Sequence, residues 1–268
     1  MKRRVVTLLT DFGLADPYVS TMKGVILKIC PNAKLVDISH QISRHNIREA
    51  AFKLAFAAPY FEPFTIHLVV VDPGVGSSRK PIIIVTNRYF FVGPDNGVLS
   101  VAAESDGIKR IIEIKNKNFF RKPVSDTFHG RDIFSPIAAN IAKRVALKRF
   151  GPNIKNIVKL DVPKPILSQN TINGEILYID GFGNIITNID SEFLKQINIS
   201  HKSKIEVTIV DKINVIPVCK SYIEVYKGEL LGIVGSNGYL EISANQSNAA
   251  EILDIDISDK ISIKQSKS

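Results

Sequence analysis

The strongest constraint on this chain is a change of rhythm near residue 165. Before it, short apolar runs of strand length alternate with helical stretches. Val5 to Leu9 reads as a buried strand. Asp16-Pro17 predicts an N-cap with Pro at the first helical position, and Val19, Met22, Ile26 and Ile29 follow at helical spacing until Pro31. Leu35 to Ile38 is a short strand. Asn46 is placed to cap a second helix with Ala50, Leu54 and Ala57 on one face, stopped by Pro59. Thr65 to Val71, Ile82 to Val85 and Tyr89 to Val92 read as strands, and Val98 to Glu104 and Ile133 to Val145 as helices. Strands separated by helices predict an α/β domain, layered around a mostly parallel sheet. Beyond Pro163-Lys164-Pro165 the helices thin out. Gly174 to Asp180, Ile185 to Ile189, Lys204 to Val210, Ser221 to Val225, Leu231 to Val234 and Tyr239 to Ser243 read as short strands between Gly-rich turns, the pattern of a small antiparallel barrel or sandwich. The expected domains are therefore 1–165 and 166–268, divided in the Pro-bracketed linker.

Composition excludes whole classes. With 45% hydrophobic and 23% charged residues over 268 positions, the chain is neither disordered, collagenous nor a coiled coil. Its net charge of +9 suits anionic partners. The Lys and Arg residues are scattered, however, densest at 115–122 and 143–149 and without interleaved aromatics, so a solvated surface is expected and not a nucleic-acid site. Cys30 and Cys219 form no disulfide framework and read as reduced core thiols. Met1-Lys2-Arg3-Arg4 resembles the start of a signal peptide. The apolar run behind it, Val5 to Leu9, is too short for a signal core or a membrane span, and a cytoplasmic protein with no membrane partner is expected.

Ligands of open α/β sheets bind beyond the carboxyl ends of the strands. Asp11 follows the first strand and Asp72 the strongest one, in Asp72-Pro-Gly-Val-Gly-Ser-Ser-Arg79. The second sequence is equally good turn chemistry. Asp95-Asn96-Gly97 reads best as a turn, and Asp132 as a helix cap or a site residue. His129 sits at a loop-to-helix junction, where a positive dipole end lowers an imidazole pKa. No HExxH or HxxxH spacing exists, so no metal site is expected. In the second domain, Asp180-Gly-Phe182-Gly-Asn184 is either a hairpin loop or a purine clamp, with Phe182 stacking and Asn184 reading the edge. Gly235-Ser236-Asn237-Gly238-Tyr239 is either a tight turn or a polar clamp.

Taken together and in order, Thr10-Asp11-Phe12-Gly13, Val71-Asp72-Pro73-Gly74-Val75-Gly76, Gly93-Pro94-Asp95-Asn96-Gly97, Phe128-His129-Gly130-Arg131-Asp132, Asp180-Gly181-Phe182-Gly183-Asn184 and Ser236-Asn237-Gly238-Tyr239-Leu240 resemble the S-adenosyl-L-methionine (SAM) hydroxide adenosyltransferase family, relatives of the SAM-dependent chlorinases and fluorinases. The resemblance spans about residues 5 to 250. It implies an α/β domain followed by a β-barrel domain, and a homotrimer with SAM bound between the N-terminal domain of one subunit and the C-terminal domain of the next. It implies hydrolysis of SAM, as substrate and not cofactor, to adenosine and L-methionine. A family triad around the attacking water maps onto Asp72, Arg79 and His129. Asp11 matches the position that holds the ribose hydroxyls, Phe182 and Asn184 match adenine-binding positions, and Asp180 and Ser236 match positions near the methionine amino and carboxylate groups. Asn245 lies in the segment that lines the adenine. The halogenase relatives carry an aromatic residue at the Asp72 position, a Tyr at the His129 position and an extra loop after Arg79, so this chain resembles the water-using branch. Three other readings stand beside it: a SAM- or nucleoside-binding module without turnover, a polynucleotide binder and a SAM-dependent halogenase.

Overall fold

The computed structural model of the chain describes residues 4–266 apart from 256 and 258. The basic run Met1 to Arg3 thus lies outside the described residues. The chain divides into two compact units, Met1–Leu160 and Asp161–Ser268.

The first unit runs β1 (Val5–Thr10), α1 (Tyr18–Ile29), β2 (Lys34–Ser39), α2 (Ile47–Ala57), β3 (Ile66–Val70), β4 (Pro81–Thr86), β5 (Phe90–Pro94), α3 (Ser100–Ser105), β6 (Ile108–Glu113), α4 (Ser135–Ala142) and β7 (Asn153–Ile154). Its sheet has the order β2-β1-β3-β5-β4-β6-β7. Strands β2, β1, β3 and β5 are mutually parallel, β4 reverses, β6 reverses again and β7 opposes it, so five of the seven strands point one way. The reversal at β4 is forced locally. Only Asn87, Arg88 and Tyr89 join β4 to β5, which leaves room for a hairpin but not for a parallel crossover.

Alternate residues of the central strands feed two cores. Leu8 and Leu68 pack with Met22 and Ile26 of α1 and Ile137 of α4. Leu9 and Val69 pack on the other face with Leu54 of α2 and Ala102 of α3. All five residues of β3 are buried, as expected of a strand covered on both faces. Asn46 caps α2 as expected, its Oδ1 accepting from the Glu49 amide at 2.9 Å. Asp16 does not cap α1. The helix begins one residue later, with Pro17 at the cap position and no side-chain cap, because the Pro17 carbonyl accepts the Thr21 amide. The helix expected over 133–145 is divided. A π-helical turn, Gly130–Phe134, precedes α4.

The second unit runs β8 (Ile166–Ser168), β9 (Thr171–Ile179), β10 (Ile185–Asp190), α5 (Ser191–Gln196), β11 (Lys204–Ile209), β12 (Lys212–Cys219), β13 (Leu230–Val234), β14 (Tyr239–Ala244), α6 (Ala249–Leu253) and β15 (Lys260–Gln265). Pairing runs β10-β14-β13-β12-β11-β15-β9, and β9 pairs back with β10, closing a seven-strand barrel to which β8 is appended. Every neighbouring pair is antiparallel except β12 with β13. Ile172, Ile176, Ile205, Val207 and Ile263 fill its interior. The strand expected over 221–225 is instead a tight 3-10 turn, Tyr222–Glu224. Ser221 and Glu224 form a reciprocal capping box there, and those local bonds outcompete a strand ladder. Cys30 and Cys219 are both free thiols.

Candidate active site

Three polar loops meet at the carboxyl end of the α/β sheet. Asp11 sits just past β1, Asp72 just past β3, and His129 just before the π-helical turn. The turn from Asp72 to Arg79 is folded by its own backbone, with the Val75 amide donating to the Asp72 carbonyl and the Ser77 amide to the Gly74 carbonyl. Gly76 lies at φ +78°, and a Cβ there would sit 2.7 Å from the Asp126 carbonyl, so glycine is required. This turn chemistry curls Arg79 back onto Asp72. The guanidinium donates from Nε to Asp72 Oδ1 at 3.0 Å and from Nη2 to Oδ2 at 2.5 Å. That is the planar two-point pairing that only arginine supplies. Nη2 also lies 2.7 Å from His129 Nδ1, and the guanidinium carbon rests 5.2 Å from the centre of the Phe134 ring. The Asp72 and Arg79 side chains are 4% and 10% exposed, so this is a nearly dry pair.

These bonds fix the state of His129. Arginine is always a donor, so Nδ1 must accept and the neutral ring carries its proton on Nε2. Burial, and then the neighbouring Arg79 charge, hold the His129 pKa below its usual 6.5, against the opposing pull of Asp72, Asp126 and Asp132. Asp72 and His129 line a cavity of about 290 Å³ together with Asp11, Phe12, Tyr18 and Phe128. Phe128 meets Phe12 and Tyr18 edge-on, and those two rings are tilted against each other, with ring centres 5.3–5.9 Å apart across the trio. The cavity is at the small end of the roughly 300–1,000 Å³ typical of ligand pockets. Asp11 accepts the His45 amide on Oδ2 at 2.9 Å.

Two neighbouring motifs prove architectural. Asp132 is not a helix cap. It is fully buried and takes bidentate donation from Arg131, a third bond from Arg121 and a fourth from the Ser125 amide, which ties the 121–131 loop together. Burial raises its pKa, but these donors, Arg131 first, hold it below the usual carboxylate range. Asn96 donates to the Val71 carbonyl at 2.9 Å and so anchors the strand end that presents Asp72.

In the barrel, Asp180 is held by its own loop. Its Oδ1 accepts the amides of Phe182 and Asn184, and its Oδ2 accepts the Asn184 side-chain amide at 3.0 Å. Gly183 makes this possible. It lies at φ +82°, and a Cβ there would sit 1.9 Å from Asn248 Oδ1. The turn leaves the Phe182 ring 81% exposed while Asn184 is buried. Ser236 is exposed on the β13–β14 turn. Asn245 is buried and donates to the Val225 carbonyl at 2.8 Å, bracing the 225–229 loop. Sequence reasoning passed over Glu241. This buried residue of β14 accepts from Tyr222 Oη at 3.3 Å. Burial and then the Asp180 charge raise its pKa. Its signal lay in Gly235, where a Cβ would run into Glu241 Oε1 at 1.8 Å. Among the described residues, no group of three or more His, Cys, Asp or Glu is placed to hold a metal ion.

A three-layered α/β unit with a carboxylate–guanidinium–imidazole cluster at its strand ends, followed by a closed barrel bearing an Asp-anchored aromatic turn, defines a two-domain class. Residues 6–151 match the SAM hydroxide adenosyltransferase N-terminal domain and residues 174–262 match its C-terminal domain. The chain belongs to the SAM hydroxide adenosyltransferase family. It is 41% identical over 271 residues to the (R)-S-adenosyl-L-methionine hydrolase of Methanocaldococcus jannaschii, covering 97% of this chain and 95% of that one. A solved structure from Thermotoga maritima superposes with a TM-score of 0.93 at 40% identity, over 97% of this chain and all of the other. The fluorinase of Actinoplanes sp. is a more distant relative, 22% identical over 92% of each chain.

Proposed function

We propose that this protein is an enzyme that hydrolyses SAM to adenosine and L-methionine. Water attacks the ribose C5′ in line, the new C5′–O bond forms as the C5′–S bond breaks, and the bonding pair leaves with sulfur. Methionine departs as a neutral thioether, so the leaving group needs neither a proton nor a metal ion. The difficulty lies in the nucleophile. Deprotonating bulk water beforehand with an ordinary imidazole would cost roughly 12 kcal/mol, from pKa values of about 15.7 and 6.5. A base that takes the proton during attack avoids that step and contributes roughly 10²- to 10⁴-fold.

The observation that carries the assignment of roles is the Arg79 bond to His129 Nδ1. It leaves His129 with a proton on Nε2, so the ring donates to the attacking oxygen and orients it. Asp72 keeps free lone pairs on both oxygens and receives the proton, which then passes to solvent. Arg79, charged throughout, stabilises the negative charge that develops on the oxygen. Asp11 receives the ribose hydroxyls. Phe182 and Asn184 receive the adenine, with Asn245 in the segment beside it, and Asp180 and Ser236 the methionine amino and carboxylate groups. The enzyme works in the cytoplasm as a homotrimer with interfacial active sites, without a metal, and nucleic acid is not a partner. No described helix is long and apolar enough to cross a membrane.

The test is incubation of the purified protein with SAM in chloride-free and chloride buffers, with products resolved by mass and Asp72→Ala as control. Adenosine plus methionine in both buffers, lost in the variant, supports the proposal. Formation of 5′-chloro-5′-deoxyadenosine would move the chain to the halide-using branch. Intact SAM that still protects the protein against heat would make it a binding module.

A further inference from the structure

His40 is a buried side chain for which the mechanism above has no use. Its ring Nδ1 lies 2.8 Å from Thr10 Oγ1, and its backbone carbonyl accepts the Gly13 amide at 2.7 Å. His40 therefore grips both ends of the four-residue turn Thr10-Asp11-Phe12-Gly13. Thr10 in turn accepts the Phe12 amide on Oγ1 at 3.3 Å, inside the same turn. Behind the ring, Nε2 approaches Asp37 Oδ1 at 3.0 Å, off the line of a well-formed hydrogen bond. Asp37 Oδ2 is held by Lys23 Nζ of α1 at 2.6 Å. The Nε2–H tautomer makes this one directed chain. Phe12 N–H donates to Thr10, the Thr10 hydroxyl donates to Nδ1, and Nε2–H is left on the side of the ring near the Asp37 carboxylate. Thr10 is fully buried. With Nδ1 protonated instead, its hydroxyl proton would lose its acceptor inside the core.

Asp11 is the residue this clamp carries to the cavity. We infer that His40 is a positioning residue: through Thr10 it fixes the Asp11 turn, and so sets the enzyme's preference for a substrate bearing ribose hydroxyls. The inference rests on Asp11 binding those hydroxyls, as proposed above. A loosened turn leaves Asp11 present but poorly aimed, and the loss falls on recognition of the hydroxyls more than on the chemical step.

The experiment compares SAM with its 2′,3′-dideoxy analogue in the wild type, Thr10→Val, Thr10→Ser, His40→Phe and Asp11→Ala. Hydrogen bonds to a carboxylate predict that the wild type favours SAM by roughly 10- to 100-fold in kcat/KM. Thr10→Val and His40→Phe should shrink that ratio to within about threefold, mainly through KM for SAM, and Thr10→Ser should restore it. Adding Thr10→Val to Asp11→Ala should cost nothing further in the ratio. If Thr10→Val lowers Tm yet keeps the wild-type preference, the clamp is merely structural and the inference falls. If Thr10→Val fails to fold, His40→Phe decides on the same ratio. If the wild type itself shows no preference, the role of Asp11 is wrong and the inference falls with it.

Discussion

In the α/β unit the carboxylate of Asp72 is held by another side chain, the guanidinium of Arg79. In the barrel the carboxylate of Asp180 is held chiefly by backbone amides of its own turn. The first arrangement depends on residues from separate loops and on charge, since Arg79 also reaches His129, fifty positions away. The second depends on a five-residue stretch and one glycine. Side-chain pairing in a nearly dry setting yields a fixed field suited to stabilising a changing charge. Backbone anchoring yields a rigid turn that leaves its remaining groups outward, as the Phe182 ring is, suited to recognition. A single side-chain substitution should therefore hit rate in one unit and affinity in the other.

The largest expected effect tests the first half of that contrast. Arg79→Lys keeps the charge but cannot span both Asp72 oxygens and His129 Nδ1, so kcat should fall by about 10²- to 10³-fold with KM for SAM little changed. A variant whose KM collapses while kcat holds would make Arg79 a binding residue and dissolve the contrast.

Acid should separate the units next. His67 is fully buried, bonded to Thr7 and stacked on Phe91. Burial lowers its pKa to about 3, against a weaker opposing pull from Asp106. Between pH ~6.5 and ~3 the unfolded chain binds a proton that the native ring refuses, so stability falls on acidification by up to about 1.4 kcal/mol per pH unit. Glu241 in the barrel has the opposite sign. Its raised pKa means the native state holds a proton the unfolded chain releases, so mild acidification relieves strain there. Hydrogen exchange, corrected for intrinsic rates and read on peptides of each unit, should show the α/β unit opening first as pH falls from 6.5 to 4.5, and His67→Phe should flatten its slope. Equal loss of protection in both units would refute the assignment.

The smallest effect sharpens the second half. Phe182→Ala should raise KM for SAM roughly 5- to 100-fold if the ring stacks on adenine. An exposed ring contributes little to folding, so Tm should stay within a degree or two of the wild type's. A large fall in Tm with unchanged KM would mean that the ring packs against protein.

The parts of the fold legible in the sequence were those written locally. β1 and β3 are mostly apolar runs because both faces of the sheet are covered, with Thr7 and His67 as buried polar residues inside them, and Asn46 announces α2 through its own side chain. β6 escaped because Lys109 and Arg110 interrupt it on its exposed side, and β12 because Ile213 and Val215 face outward and Pro217 breaks the pattern. The same divide runs through the site. Asp72 stood out as a polar residue after the strongest strand, and Asp180 as part of a Gly-rich turn. The pairing of Arg79 with His129 is created by tertiary packing and was reached only through the family resemblance. His40 and Glu241 gave no periodic signal, because their partners lie on other strands and loops.

The π-helical turn at Gly130–Phe134 has a consequence for how this site tolerates insertion and deletion. Its closing bond runs from the Ser135 amide to the Gly130 carbonyl, five residues back instead of four. The segment therefore holds one residue more than a regular helix would, and everything before it is turned by about 100° relative to a continuous α-helix. That rotation lets His129 face the cavity while Asp132, three positions on, is locked among Arg121, Arg131 and the Ser125 amide. Loss of a single codon within the turn would convert it to ordinary helix and leave α4 intact. It would also swing the imidazole away from Arg79, yielding a chain that folds, matches its family throughout and lacks the Arg79–His129 contact from which the catalytic roles are proposed.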